Sequence, residues 1–122
     1  MPIKQGEILW ARSYDPRGAN EKCRPFVVLT LTAEIARGEP ILAVAISTTL
    51  PEPLTEEYVE LPWHPRGLVR TRLKKRCAVC CQWLEELDRN DIEEIRGHVP
   101  GGTLKEIIQR IGQLHGNEDE DA

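Results

Sequence analysis

The chain has 122 residues, of which 40% are hydrophobic and 30% charged, and its net charge at pH 7 is −4. This length predicts one domain that buries roughly two thirds of its unfolded surface. No apolar run approaches the ~20 residues that cross a bilayer, so the sequence predicts a globular domain without a membrane partner.

The first half of the chain predicts three strands. The segment GEILWARS predicts a first strand over residues 6–13, and YDPRGANEKCR, rich in turn formers, predicts an exposed loop over 14–24. The run PFVVLTLT, rich in β-branched residues and led by proline, predicts a second strand over 25–32. A short helical turn over 33–38 precedes PILAVAIS, whose continuous apolar run predicts a central strand over 40–47, buried on both faces.

The second half predicts two more strands and two helices. EEYVEL has the polar–apolar alternation of an edge strand, and CAVCCQWL predicts a fifth strand over 77–84. Asp88 is interpreted as the N-cap of a helix ending at Gly97, and Thr103, with Glu106 in a capping box, as the N-cap of a second. That second helix carries an apolar stripe of Leu104, Ile107, Ile108, Ile111 and Leu114. Five strands followed by two helices predict a small barrel or curled sheet with a terminal helix.

The charges are unevenly distributed. The final segment NEDEDA holds four acids and no base, which leaves a neutral body of 16 acids and 16 bases. We therefore predict one domain over 1–116 and a disordered acidic tail over 117–122, with the alternative that the tail mimics RNA. Between Pro65 and Leu84 there are six bases and no acid. This basic strip predicts contact with a polyanion, and the alternative is a solvated loop.

The four cysteines predict reduced thiols in a cytoplasmic protein. The N-terminal MPIKQGEILW has no secretory pattern, and without export a disulfide framework is not expected. Cys77, Cys80 and Cys81 raise the alternative of a zinc site. The Ala-Val between Cys77 and Cys80 is strand material without the tight turn that such a site needs, so we predict buried thiols and no metal.

In order along the chain, GEILWARSYDP, RPFVVLT, AVAISTT, GLVRTR, CCQW and a terminal helix resemble the MazF/PemK/Kid toxins of bacterial toxin–antitoxin systems. The likeness runs from Gly6 to about Leu114. It implies a mainly β fold with C-terminal helices, an SH3-like small barrel of the MazF/PemK/CcdB type. It further implies a cytoplasmic homodimer that cleaves single-stranded RNA at short motifs without a cofactor, and a cognate antitoxin that blocks it.

The resemblance places the family's arginine on Arg24 and its catalytic threonine on Ser47, with Thr48 one step away. Metal-independent RNA cleavage concentrates negative charge on the phosphoryl oxygens, and a fixed guanidinium offers them bidentate hydrogen bonds. The proline and the strand that follow Arg24 would hold it, and the alternative is an ion pair with Glu21 or Asp15. A hydroxyl at Ser47 or Thr48 would bond a phosphate oxygen, unless both are simply a polar strand end.

Further candidates for RNA binding are mostly cationic: Arg17, Lys22, Trp63, His64, Arg70, Arg72, Lys74, Lys75 and Arg76. His64 lies between two prolines and is a candidate for proton transfer or a plain loop histidine. Trp63 could stack a base or cover the end of the barrel. Trp10 and Trp83 are predicted to be structural.

Two other functions compete with the nuclease. One is a non-catalytic member of the same fold that binds a protein, and the other is a module that holds RNA without cutting it. Substitution of Arg24 separates them, because an enzyme loses turnover while keeping most of its RNA affinity, whereas a passive binder loses affinity alone.

Overall fold

The structure is a computed structural model that describes residues 2–15 and 17–115, so the predicted acidic tail lies outside the described residues. Its elements in chain order are β1 (Glu7–Ser13), β2 (Lys22–Val28), α1 (Thr32–Ala36), β3 (Ile41–Ser47), β4 (Tyr58–Glu60), β5 (Ala78–Leu87), a 3-10 turn (Arg89–Asp91), β6 (Ile92–His98) and α2 (Gly101–His115). The strands form one antiparallel sheet in the order β4-β5-β3-β2-β1-β6. The sheet is not closed, and the mainly β class with a C-terminal helix is confirmed.

The sheet buries apolar residues on both faces because successive side chains point to opposite sides of a strand. In β3, Val44 and Ile46 belong to one cluster with Ile107 of α2, while Ala43 and Ala45 belong to the second. The prediction of a central strand buried on both faces is confirmed, except that Leu42 is 43% exposed. Within the described ranges, no helix has the length and apolar character to cross a bilayer.

Strand β2 begins three residues earlier than the proline that was predicted to start it, so the predicted loop over 14–24 was too long. Arg24 and Pro25 lie inside the strand, opposite Ala11 and Trp10 of β1. Pairing of β2 with β3 starts only at Phe26, opposite Ala45. Within the described part of the chain, residues 22–25 therefore have no paired strand on the β3 side. A proline, which lacks a backbone N–H, is tolerated on such an edge.

The helix predicted from Asp88 to Gly97 is wrong. Asp88 does cap a turn, since its side chain accepts from the Asn90 amide, but the turn ends at once and β6 follows. Ile92 and Ile95 have helical spacing, which misled the prediction. A register shift against β1 lets both isoleucines pack on the same cluster from a strand.

The C-terminal helix is confirmed but begins earlier than predicted. Thr103 is not its N-cap, because the helix starts at Gly101 and the Leu104 amide already donates to the carbonyl of Pro100 at 2.9 Å. Proline is favourable next to the first turn of a helix, because the backbone N–H groups there have no acceptor within the helix and the N–H that proline lacks costs no hydrogen bond. The predicted apolar stripe packs on the sheet, apart from Ile108, which is 44% exposed.

The basic loop between β4 and β5 is tied to β6. The His98 amide donates to the carbonyl of Arg70 at 2.9 Å. The Thr71 side chain is buried, and its hydroxyl donates to the carbonyl of Pro62 at 2.7 Å while accepting from the Leu73 amide at 3.3 Å. These contacts give the loop a defined path along the end of the sheet.

Candidate functional site

A cavity of about 380 Å³ opens at one end of the sheet. Its wall combines Trp10 of β1, the start of β2, the end of β3, part of the basic loop, Trp83 of β5 and Arg96 of β6. Among the described residues, no acid lines this cavity. Six of its side chains are cationic: Lys22, Arg24, Arg72, Lys74, Lys75 and Arg96. Residues far apart in the sequence thus meet in one strongly basic cavity.

Most of these cations are not paired with a carboxylate of the described residues. Among residues 2–15 and 17–115, only Arg96 of the six forms an ion pair, with Glu94 at 3.5 Å. The other five have no carboxylate within salt-bridge distance in that part of the chain. An uncompensated cluster of one sign in a concave site attracts an oppositely charged polymer and raises its association rate.

Arg24 lies half-buried in this wall. Its Nη2 donates to the carbonyl of Asn20 at 2.6 Å, and its Nε donates to the carbonyl of Ser13 at 3.5 Å. The guanidinium also lies over the indole of Trp83, 5.3 Å from the ring centroid. These contacts fix the guanidinium without neutralising its charge.

The predicted alternative for Arg24, an ion pair with Glu21 or Asp15, is not found. Glu21 lies 3.7 Å from Arg12 instead. Asp15 accepts hydrogen bonds from the Ala19 amide and the Asn20 side chain, which hold the pKa of its carboxyl below the usual value. Asp15 thereby shapes the loop whose Asn20 carbonyl receives Arg24.

Glu85 hydrogen-bonds to two of the residues that contact Arg24. Its carboxylate accepts the Trp83 indole N–H at 3.0 Å, and both of its oxygens lie 2.8 Å from the Ser13 hydroxyl. Trp83 and Ser13 are two of the three groups that touch the guanidinium. Glu85 is a positioning residue, because it holds them and does not line the cavity.

Replacing Glu85 with leucine is expected to lower the free energy of unfolding by about 1–3 kcal/mol, because it removes the acceptor for Ser13 and for the Trp83 indole. Urea denaturation measures the change. The matched control is Glu86→Leu, which makes the same replacement at an exposed position and is expected to stay within about 0.5 kcal/mol. Equal stability of the two variants would contradict the supporting role.

Ser47 and Thr48 both line the cavity but differ in what their hydroxyls contact. The Ser47 hydroxyl donates to the carbonyl of Thr49 at 3.0 Å and accepts from the amide of the same residue at 3.1 Å. This local pattern holds the turn after β3. Thr48 is exposed, and its hydroxyl has no hydrogen-bond partner among the residues that the structure describes. Of the two predicted hydroxyls, the free one is therefore that of Thr48. The exposed Thr49 adds another hydroxyl to the cavity wall that has no hydrogen-bond partner among the described residues.

Arg72 reaches the cavity from a backbone conformation that arginine rarely adopts. Its φ is 62°, in the left-handed region. The preceding Thr71 is buried against Gly97 of β6, so the loop cannot relax at this point without losing that contact. Lys74 and Lys75 follow on the same stretch and line the cavity too.

The other predicted RNA-binding residues lie outside this cavity: Arg17, Trp63, His64, Arg70 and Arg76. Arg70 and His98 line an adjoining shallow surface, which Arg72 also lines. The guanidinium of Arg76 bridges Glu52 at 2.8 Å and Glu60 at 3.3 Å. The Arg66 amide donates to Nδ1 of His64 at 3.0 Å, which ties this ring to its own turn. The structure thus divides the predicted basic strip into a part at the cavity and a part elsewhere.

Three charged or aromatic residues of the wall were not among the candidates from the sequence: Trp10, Trp83 and Arg96. The two tryptophans were predicted to be structural only, yet each lies beneath a guanidinium that faces the cavity. Arg96 was assigned to a helix that does not exist. Only the pairing of β6 with β1 brings it to the site, and no local sequence signal carries that pairing.

The cysteines are all free thiols. Cys77 and Cys81 are buried, and desolvation by burial raises the pKa of each thiol to about 11. Cys23 lies in the cavity wall. The pKa of its thiol is raised mainly by burial and secondly by the nearby Glu93 carboxylate.

Cys77 and Cys81 are therefore expected to resist alkylation by iodoacetamide at pH 8. A pKa two units above the ordinary value leaves about 100-fold less thiolate, which is the reacting form. Timed labelling followed by peptide mass spectrometry should show both sites slow in the folded protein and fast in urea. Partly exposed Cys80 is the internal reference. Labelling of Cys77 as fast in the folded as in the unfolded chain would contradict the prediction.

Both a family model and solved structures match this chain over nearly its whole length. A family model described as "PemK-like, MazF-like toxin of type II toxin-antitoxin system" matches residues 4–115. The fold is similar to that of MazF from Deinococcus radiodurans, with a TM-score of 0.74, 21% identity, and coverage of 95% of this chain and 98% of that chain.

Two further solved structures share the fold. A mycobacterial endoribonuclease solved with its cognate antitoxin has a TM-score of 0.69 at 15% identity, covering 94% of this chain and 96% of that chain. The Mycobacterium tuberculosis toxin MazF-mt6 has a TM-score of 0.65 at 16% identity, covering 88% and 95% respectively. A comparison with curated protein sequences finds no match.

Proposed function

Because the chain belongs to the PemK-like, MazF-like toxin family of type II toxin–antitoxin systems, we propose that it is an endoribonuclease that cleaves single-stranded RNA at short motifs. One observation carries this proposal. The cavity holds a fixed guanidinium, a free hydroxyl and further unpaired cations, and no acid among the described residues lines it. This is the electrostatic environment that a phosphodiester transition state requires.

The proposed reaction is attack of an RNA 2′-OH oxygen on the adjacent phosphorus, which forms a 2′,3′-cyclic phosphate and breaks the P–O5′ bond. The 2′-OH gives up its proton to solvent, and the leaving O5′ takes up a proton to become a 5′-OH. Arg24 binds the phosphoryl oxygens, where negative charge accumulates, with N–H groups in a fixed fork. The Thr48 hydroxyl donates a hydrogen bond to the same phosphate, and Ser47 holds the turn that presents it. Lys22, Arg72, Lys74 and Lys75 attract and align the RNA backbone.

The proposal includes a regulating partner and a cellular location. The similar structures include MazE-MazF of Deinococcus radiodurans and a mycobacterial endoribonuclease in complex with its cognate antitoxin. We propose that a cognate antitoxin neutralises this chain as well. We further propose that the protein is cytoplasmic, which the four free cysteines support, and that it forms a homodimer, as the resemblance implies.

The test is incubation of the purified chain with a long RNA of mixed sequence in EDTA, beside Arg24→Ala purified in the same way. Discrete fragments from the wild type alone are the expected result, since the variant controls for contaminating nucleases. Intact RNA in both reactions would reject the enzyme. Tight RNA binding without cleavage would favour the alternative of a module that only binds RNA.

A further inference from the structure

The cavity contains a second guanidinium that rests on an indole. Arg96 of β6 lies over the ring of Trp10 of β1, 5.6 Å from the centroid, just as Arg24 lies over Trp83. All four side chains line the same cavity. Among the described residues, Arg96 is also the one cavity cation that β6 itself carries.

The orientation of Arg96 leaves one edge of its guanidinium available. One face is covered by Trp10, and the Nε edge is directed to Glu94 at 3.5 Å. Within the described ranges, neither Nη group has a hydrogen-bond partner. Two adjacent Nη groups on a planar, always charged fork match the oxygens of a phosphate rather than the flat face of a base.

The position of Arg96 relative to Arg24 suits another phosphate of the same strand. β1 lies between β2, which carries Arg24, and β6, which carries Arg96. Arg24 pairs with Ala11, whereas Arg96 follows Ile95, the partner of Leu9, so the two arginines are offset along the strands by about three residues, or ~10 Å. Two strand spacings, about 10 Å, also separate them across the sheet, so their Cα atoms lie roughly 14 Å apart.

We propose, on the basis of the function proposed above, that Arg96 and Trp10 form a second phosphate site that binds a backbone phosphate flanking the one cleaved at Arg24. Trp10 orients the guanidinium and Arg96 makes the contact. The site adds affinity that does not depend on base identity, and it takes no part in the chemical step.

The test is binding of a fully 2′-O-methylated RNA oligonucleotide, which cannot be cleaved, measured by fluorescence anisotropy over a range of NaCl concentrations. Arg96→Ala is expected to weaken binding about tenfold and to lower the slope of log K against log salt by about 0.7–1, the value for one lost phosphate contact. Arg96→Lys should retain most of the slope. On cleavable RNA, Arg96→Ala should raise KM while kcat stays within about threefold.

The matched control is Arg37→Ala. Arg37 is exposed, caps the C-terminal end of α1, and lines neither the cavity nor the shallow surface beside it. If Arg96→Ala keeps the salt slope of this control, or if it lowers kcat alone, the second phosphate site is wrong. Failure of the wild type to bind the methylated RNA would also overturn it. Salt-dependent binding through Arg96 without cleavage of ordinary RNA would instead reject the nuclease and leave the phosphate site standing.

Discussion

Replacing Arg24 with alanine is expected to lower kcat for RNA cleavage about 100- to 1,000-fold, which is the usual effect of removing one preorganised donor to a developing oxyanion. The guanidinium is already held by the carbonyls of Asn20 and Ser13 and by the Trp83 ring. It therefore needs little reorganisation when charge develops on the phosphate. Initial rates at saturating RNA measure the effect.

RNA affinity should change much less, by no more than about tenfold, because the other cavity cations remain and supply most of the attraction. Arg24→Lys tests the geometry, since lysine keeps the charge but loses the planar fork, and it should recover only part of the rate. A loss of affinity that fully accounts for the loss of rate would contradict a role in the transition state.

The matched control for Arg24 is Arg76→Ala. Both residues are arginines near the same end of the sheet, but Arg76 is held by Glu52 and Glu60 and does not line the cavity. Cleavage by this variant should remain within about threefold of the wild type, since it loses only exposed ion pairs. A thermal scan of both variants verifies that each is folded.

Replacing Gly97 with alanine is expected to lower the free energy of unfolding by about 2–5 kcal/mol, from steric overlap together with backbone strain. A Cβ on Gly97 would overlap the carbonyl oxygen of Thr71 and lie 2.5 Å from its carbonyl carbon, and the backbone of Gly97 has a φ of 85°. Both neighbours are backbone atoms of the basic loop, which cannot turn aside as a flexible side chain does. Urea denaturation measures the loss.

Gly112→Ala is the matched control, because its Cβ meets nothing within 4 Å and its site lies within α2. Alanine there should stabilise the protein by about 0.5–1 kcal/mol. If Gly97→Ala folds, displacement of Thr71 should also move Arg72 and weaken RNA binding. Unchanged stability of Gly97→Ala would show that β6 and the loop do not approach as closely as described.

Much of the fold was predictable because it depends on local patterns. The apolar run over 40–47 predicted a strand buried on both faces, and the stripe of Leu104, Ile107 and Ile111 predicted one face of a helix. Strand β6 was missed because it depends on pairing with a distant strand and not on a local pattern. Its isoleucines have helical spacing, and only a register shift against β1 places them on one side of a strand.

The candidate site was predictable in part. Arg24, Ser47 and Thr48 were identified through the resemblance, and the structure brings all three to one cavity with Lys22, Arg72, Lys74 and Lys75. Whether this cavity is the catalytic site stays a prediction until Arg24 is tested. The choice between the two hydroxyls required the hydrogen bonds around Thr49, since neighbouring positions look equivalent in the sequence.

By itself, the sequence determined the strand and helix content of most of the chain and the family, and the resemblance indicated Arg24 as the candidate arginine of the site. These properties follow from side-chain periodicity and short motifs, which act over a few residues. Tertiary structure alone decided which cations stay free, because Arg76 meets Glu52 and Glu60 while Arg72 turns into the cavity. It also decided that Trp10 and Arg96 meet, because the pairing of β1 with β6 joins segments more than 80 residues apart.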